Sequence, residues 1–204
     1  MKKWMTVLVV VMMAVPALAQ FMGLPMAGGA AASGAGAAGI SAGAIVGDDF
    51  NLYGGRASFA PMAGLTVFGD AGVIDPDGDA DMGWALQGGG LFTLPLGLPV
   101  DLGLRGTFGL AGFDMEGGEL SMWDITGGVL ASKTIEQFTP YAFLGVHHVD
   151  MTVDIDGGGE ASDDETDLAV AAGVSFALNE KLSFYAEIAH IDDPFFGGGA
   201  RVNF

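Results

Sequence analysis

The stretch Val100-Asp101-Leu102-Gly103-Leu104-Arg105-Gly106-Thr107-Phe108-Gly109-Leu110 alternates residue by residue. Val100, Leu102, Leu104, Phe108 and Leu110 share one face, and Asp101, Arg105 and Thr107 share the other. Successive side chains on a strand point to opposite faces, so a two-residue period predicts a strand with one apolar and one polar surface. The pattern recurs in 168–178, where Leu168, Val170, Val174, Phe176 and Leu178 oppose Asp167 and Ser175. It recurs again in 182–188, where Leu182, Phe184, Ala186 and Ile188 oppose Ser183, Tyr185 and Glu187.

Working outward, nine such runs follow one another at roughly 50–60, 64–74, 82–94, 100–113, 120–133, 140–153, 168–178, 182–191 and 196–204. Each is close to the 9–11 residues that a tilted membrane strand needs. The connections alternate between two kinds. Residues 61–63, 95–99, 135–139 and 179–181 are short and hardly charged, whereas 75–81, 114–119, 154–167 and 192–194 are acidic. Membrane barrels show this asymmetry, with short turns at one end and longer loops at the other, and bacterial single-chain barrels have even strand numbers. Both the first and the last of the nine runs end on the short-turn side. A tenth strand must therefore precede residue 50. Residues 39–47 are the candidate, with Asp48-Asp49 as its acidic turn. The expected fold is all-β, a closed antiparallel up-and-down transmembrane β-barrel of ten strands. Eight is the alternative if the N-terminal region does not pair.

Bulk properties agree. The chain carries 25 acidic and 7 basic residues, a formal net charge of −18, yet its mean hydropathy is +0.46. Acidic loops combined with lipid-facing apolar residues reconcile the two numbers. The negative charge makes nucleic acid an unsuitable partner, because phosphate binding needs basic residues. Beyond the first residues no apolar run is long enough for a membrane helix. Only helices and closed barrels satisfy all backbone polar groups in lipid. A soluble antiparallel sandwich alternates in the same way and stands as the structural alternative. There is no cysteine, so disulfides and thiolate chemistry are excluded.

The charges inside the strands favour the barrel. Arg56, Arg105 and Arg201 all fall on the polar face, which also carries Asp70, Gln87, Asp101, Asp124 and Glu187. An arginine facing lipid costs about 2–4 kcal/mol at the midplane, whereas one facing a lumen lined by carboxylates is paired. Arg56, Asp70, Asp101, Arg105, Asp124, Glu187 and Arg201 are therefore expected to form a lumenal ion-pair network. Aromatic residues near strand ends suggest two interfacial girdles. Phe50, Trp84, Phe113, Trp123, Phe195 and Phe196 lie toward the acidic loops. Phe59, Phe92, Tyr141, Phe176, Phe184 and Phe204 lie toward the short turns. The adjacent His147 and His148 resist the pattern, and Leu144 and Val146 fall on the nominally polar face, which suggests a β-bulge there.

The chain's ends carry two further signals. Lys2 and Lys3, the apolar stretch 5–15 and Ala17-Leu18-Ala19 have the form of a signal peptide cleaved after residue 19. Residues 20–38, rich in Gly and Ala and without period, read as a flexible periplasmic leader before a barrel at 39–204. At the other end stands Gly199-Ala200-Arg201-Val202-Asn203-Phe204. A last strand with alternate apolar residues and a terminal Phe resembles the C-terminal signature of Gram-negative outer-membrane β-barrel proteins. The resemblance implies location in the outer membrane. It also implies recognition of Ala200, Val202 and Phe204 by the barrel-assembly machinery, with periplasmic chaperones on the way. It carries over no catalytic residues.

Candidate chemistry is sparse. Asp75, Asp77, Asp79 and Asp81 surround Gly78, and closely spaced oxygen ligands at a glycine turn suit Ca²⁺. The run lacks the spacing and distal Glu of an EF-hand loop, and its other reading is a solvated acidic loop. The block 154–167 reads the same way. Both loops suit bridging by divalent cations to lipopolysaccharide. His190 and Asp192 form a lone rim pair with no serine motif beside them, so an outer-membrane hydrolase ranks third among the readings. The expected function is a monomeric structural or surface-interaction barrel, not an enzyme, with a filled or very narrow lumen and no cofactor beyond Ca²⁺ at the acidic loops. The runner-up is a narrow porin-like channel for small ions or solutes.

Overall fold

The computed structural model describes residues 28–47, 50–76, 81–115, 118–155, 157–191 and 194–204. The expected signal peptide lies outside them. Ten strands follow in chain order: β1 (Ala38–Val46), β2 (Phe50–Met62), β3 (Leu65–Pro76), β4 (Gly83–Leu94), β5 (Asp101–Met115), β6 (Gly118–Ser132), β7 (Phe138–Ile155), β8 (Gly159–Ala177), β9 (Leu182–His190) and β10 (Pro194–Asn203). Each pairs antiparallel with its neighbour in sequence, and β1 pairs with β10 from Gly39↔Asn203 to Val46↔Phe196, closing the barrel. Closure leaves no unpaired edge. The strand inferred before residue 50 is β1, and the eight-strand alternative falls.

Side chains alternate across the wall as the two-residue period requires. Leu104, Phe108 and Leu110 point out from β5, while Arg105, Thr107 and Ala111 are buried inside. The short turns, both strand termini of the chain and the C-terminal Phe204 share one end, which is the periplasmic end by the rule for such barrels. At the tightest of these turns Met62 pairs with Leu65 and Gly64 takes φ 79°, a conformation that glycine adopts without steric cost.

Four sequence expectations need correction. First, most of 154–167 is not a loop. β7 and β8 run for 18 and 19 residues and stay in register to Ile155↔Gly159. Strand pairing is a backbone property, so acidic side chains do not end it where both faces meet water. Second, Phe50, Phe113, Phe195 and Tyr141 do not join the girdles but are buried in the lumen. They share strand parity with the inward residues, and distance from a strand end says nothing about face. Trp84, Phe196, Phe59, Phe92, Phe184 and Phe204 are exposed on the outside. Third, β7 carries no bulge. Its register with β6 and β8 is unbroken, so His147 points in, and Leu144, Val146 and His148 point out. Fourth, residues 28–37 are not free. They cross the periplasmic mouth: the Ala30 amide donates to Ser132 Oγ at 2.8 Å, Thr93 Oγ1 donates to the Ala30 carbonyl at 2.9 Å, and the Gly64 amide donates to the Ser33 carbonyl at 3.1 Å. Gly28 lies beside the Arg201 guanidinium of β10, so the segment reaches across the opening from β10 to β6 before joining β1.

The interior falls into three layers. The outer third is apolar: Ile45, Leu52, Ile74, Phe113, Met122 and Met151 converge with Phe50, Leu120, Val153, Ile191 and Phe195, all buried. The middle is polar. The periplasmic third holds Leu130, Phe143 and Ala30, all buried. Inward glycines make room for rings: Tyr185 covers Gly43 and Gly199, Tyr141 covers Gly173, Phe143 covers Gly128 and Gly145, and Phe68 covers Gly89. A Cβ at any of these positions would collide with the ring.

Candidate functional site: a polar belt in the lumen

The middle layer is built from inward positions near the centre of each strand. Arg56 of β2 sits directly opposite Asp70 of β3 in the ladder. Its Nε donates to Oδ1 at 2.7 Å and its Nη2 to Oδ2 at 2.6 Å, with both side chains almost wholly buried. This two-pronged geometry is the strong form of an arginine–carboxylate pair. Phe68, two residues along β3 on the same face, lies under two guanidiniums. Its ring centroid is 4.5 Å from Arg56 Cζ and 5.1 Å from Arg105 Cζ, within cation–π range.

Across the lumen stands a second group. Asp124 and Thr126 of β6 and His147 of β7 are at most 1 % exposed. Thr126 Oγ1 is 2.8 Å from His147 Nδ1 and 3.5 Å from Asp124 Oδ2. His147 Nδ1 is 3.7 Å from the same carboxylate oxygen. A hydroxyl that donates to Asp124 must accept from the imidazole, so Nδ1 carries the proton in this chain of bonds.

Several side chains of the belt keep polar atoms without a hydrogen-bonding partner among the described residues, and four of these side chains stand on β4, β5 and β6. Their unpartnered atoms are Nη1 and Nη2 of Arg105, both amide atoms of Gln87, the Thr107 hydroxyl, and Oδ1 of Asp124. All four residues are buried. They belong to adjacent strands, with Gln87 opposite Gly109 and Gly109 opposite Asp124.

Of the seven residues expected to form one network, the structure directly joins Arg56 and Asp70. Arg105, Asp124 and Glu187 are buried in the same belt. Arg201 lies lower, where its Nη2 donates to Ser58 Oγ at 3.3 Å. Asp101 lies at the periplasmic end opposite Ser132. Phe68 as a shared platform and the Asp124–Thr126–His147 chain were not foreseen. Strand parity with Arg105 and Asp70 was the signal that could have found them.

The other candidates lie elsewhere. Asp77 and Asp79 fall outside the described residues, and Asp81 is exposed. Among the described residues no three acidic, histidine or cysteine side chains converge as a metal site. Asp192 also lies outside the described residues, and His190 is exposed on the outward face of β9. Ala200, Val202 and Phe204 take the outward face of the last strand, with Val202 and Phe204 exposed.

At the rim, β5 to β8 place carboxylates side by side. Asp114 pairs with Glu119, Glu119 with Asp154, and Asp154 with Glu160, all on the outward face. Asp150 pairs with Asp164 below them. Below these rows His148 Nδ1 shares a hydrogen bond with Thr166 Oγ1 at 2.8 Å and sits edge-on to Trp123, with ring centroids 5.5 Å apart.

Comparison with known proteins agrees with this architecture. The family described as outer membrane protein beta-barrel domain matches residues 5–199. No curated protein matches the chain. Among solved structures, the outer membrane protease OmpT from Escherichia coli is 10 % identical, with 82 % of this chain and 96 % of that chain covered and a TM-score of 0.51. The N-terminal β-barrel domain of Pseudomonas aeruginosa OprF is 16 % identical over 84 % of this chain and 100 % of that chain, with a TM-score of 0.44. Ail, the attachment invasion locus protein of Yersinia pestis, is 19 % identical over 83 % of this chain and 99 % of that chain, with a TM-score of 0.42. At 10 % identity the likeness to OmpT is one of fold.

Proposed function

Since this chain belongs to the outer membrane protein β-barrel family and resides in the outer membrane, we propose that it is a closed, non-conducting barrel that acts through its surface. One observation carries this reading: buried apolar side chains from most strands fill the outer third of the lumen. Below that layer lie the charged belt and the 28–37 segment, which crosses the periplasmic mouth. Ten-stranded barrels also lie nearer the side-chain-filled limit than the wide channels of about sixteen strands.

The surface role rests on the carboxylate rows of β5 to β8. Like charges directly opposite each other across a ladder are unfavourable. The rows begin level with Trp123, which stands opposite Asp150, and continue outward to Glu119 and Asp154, and aromatic residues such as Trp prefer the head-group level. Divalent cations shared between these carboxylates and lipopolysaccharide phosphates relieve the repulsion on both sides. The contact is diffuse, in keeping with oxygen-rich, adaptable Ca²⁺ coordination, and any tighter site at 75–81 would add to it. We read the protein as a monomer; we also read it as not an enzyme, because His190 faces away from the polar groups of the lumen.

Single-channel recording of the refolded protein in a planar bilayer, with and without Ca²⁺, tests the closed lumen. The expected result is silence with insertion verified by a heat-dependent gel shift. Discrete, reproducible steps would instead establish the narrow porin-like channel, and Arg105→Ala should then alter ion selectivity. The surface reading is tested by lipopolysaccharide binding with and without Mg²⁺ in the Glu119→Gln/Asp154→Asn/Glu160→Gln variant. Unchanged binding would remove it.

A further inference from the structure

The belt's unpartnered atoms are mixed in kind. Arg105 Nη1 and Nη2 and the Gln87 amide nitrogen are donors, Gln87 Oε1 and Asp124 Oδ1 are acceptors, and the Thr107 hydroxyl is both. Buried polar atoms need partners, and leaving one unmatched is costly. None of the described residues supplies these. An anion would match the donors and oppose Asp124, while a cation would match Asp124 and oppose Arg105. A small neutral molecule that both donates and accepts matches all four side chains. Water does this with two to four bonds per molecule.

The layers above and below this region differ. Above it, large apolar side chains from most strands interlock, and their separation would expose much apolar surface to water. Below it, segment 28–37 is made of Gly, Ala and Ser, and of its residues only Ala30 is buried. Residues 30–33 are held to the wall by single hydrogen bonds with Ser132, Thr93, Thr66 and Gly64, and residues 36–37 by two backbone hydrogen bonds with Ala60. Segments with few buried apolar contacts open locally at low cost.

We infer that the middle of the lumen is a hydrated chamber, in which bound water bridges Gln87, Arg105, Thr107 and Asp124, and that segment 28–37 is its gate on the periplasmic side. The inference rests on the closed-barrel reading only for the apolar roof. The chamber is thus a cul-de-sac, wet from one side of the membrane and sealed from the other. Its mixed donors and acceptors suit small neutral polar molecules and disfavour free ions.

The absence of native cysteine permits a direct test. Thr107→Cys places a single thiol in the chamber, and a small hydrophilic methanethiosulfonate reports its accessibility in detergent micelles. The full chain is expected to label slowly. Removing residues 28–36, or loosening the gate with Thr93→Val and Ser132→Ala at unchanged chain length, is expected to speed labelling ~10-fold or more, as the loss of two hydrogen bonds implies. No acceleration in the folded double variant would overturn the gate and leave the closed barrel standing. Fast labelling of the full chain together with conductance steps would overturn both. A high-resolution crystal structure supplies the second readout. Water oxygens within hydrogen-bond reach of Arg105 Nη1, Nη2 and Gln87 are expected, and a dry contact among these side chains overturns the chamber.

Discussion

Arg56 and Asp70 face each other across neighbouring strands and are joined by two hydrogen bonds of 2.7 and 2.6 Å inside the wall of the barrel. Removing one partner strands the other charge in a buried site, at a cost of about 3–5 kcal/mol. Asp70→Leu is therefore expected to lower the urea midpoint of the refolded protein sharply. Arg56→Met combined with Asp70→Leu is expected to recover most of the loss, because no lone charge remains. A double variant no more stable than Asp70→Leu would show that the pair is not the source.

The fit between Gly173 and the Tyr141 ring predicts a second pair of linked effects. Gly173→Ala puts a methyl group where the ring lies, and such overpacking costs about 1–3 kcal/mol. Tyr141→Leu in the same chain vacates that space. The pair of substitutions should therefore cost less than the sum of each alone, which a double-mutant cycle of unfolding midpoints measures directly.

The lipid face of β5 predicts a contrast between near neighbours. Leu104 is 50 % exposed on the outside, and Leu104→Arg is expected to destabilise the inserted barrel by about 2–4 kcal/mol. The cost should vanish for folding in a water-soluble form. Equal tolerance of Leu104→Arg and Leu104→Ala in vesicles would contradict the assignment of this face to hydrocarbon.

Asp154 stands between Glu119 and Glu160 in one ladder row. Asp154→Lys turns two repulsive neighbours into attractive ones, each worth roughly 0.2–1 kcal/mol in a ladder and less where water screens them. Slower proteolytic nicking of the β7–β8 hairpin, with the unfolding midpoint of the barrel unchanged, is the expected result.

Much of this fold is legible in the sequence because membrane strands must alternate. The strand count followed from the alternation of turn types, which forced β1 into existence before residue 50. Where composition replaced periodicity, the reading failed. Asp and Gly made 154–167 look like a loop, although ladder bonds need only backbone. Proximity to strand ends made Phe50, Phe113, Phe195 and Tyr141 look like girdle residues, although Phe50 shares parity with Arg56, Phe113 with Arg105 and Phe195 with Arg201. The placement of 28–37 left no trace, because small residues without period encode no face. In the lumen the sequence identified which side chains point inward, but not which of them meet. Arg105 and Arg56 meet over Phe68 because strand stagger brings β2, β3 and β5 to one height, and stagger is not written in any single strand.

The ladder between β1 and β10 pairs the first strand with the last. A chain ending before Pro194 would leave β9 and β1 unjoined and open the wall sideways. Arg56, Glu187 and Tyr185 line the lumen beside that gap, on β2 and β9, and would meet hydrocarbon instead of protein. Such a product is not a weaker barrel but one the bilayer rejects, since charge and unpaired backbone face lipid together. Insertion is accordingly all-or-none in chain length, and premature termination removes the protein from the membrane instead of leaving a leaky version in it.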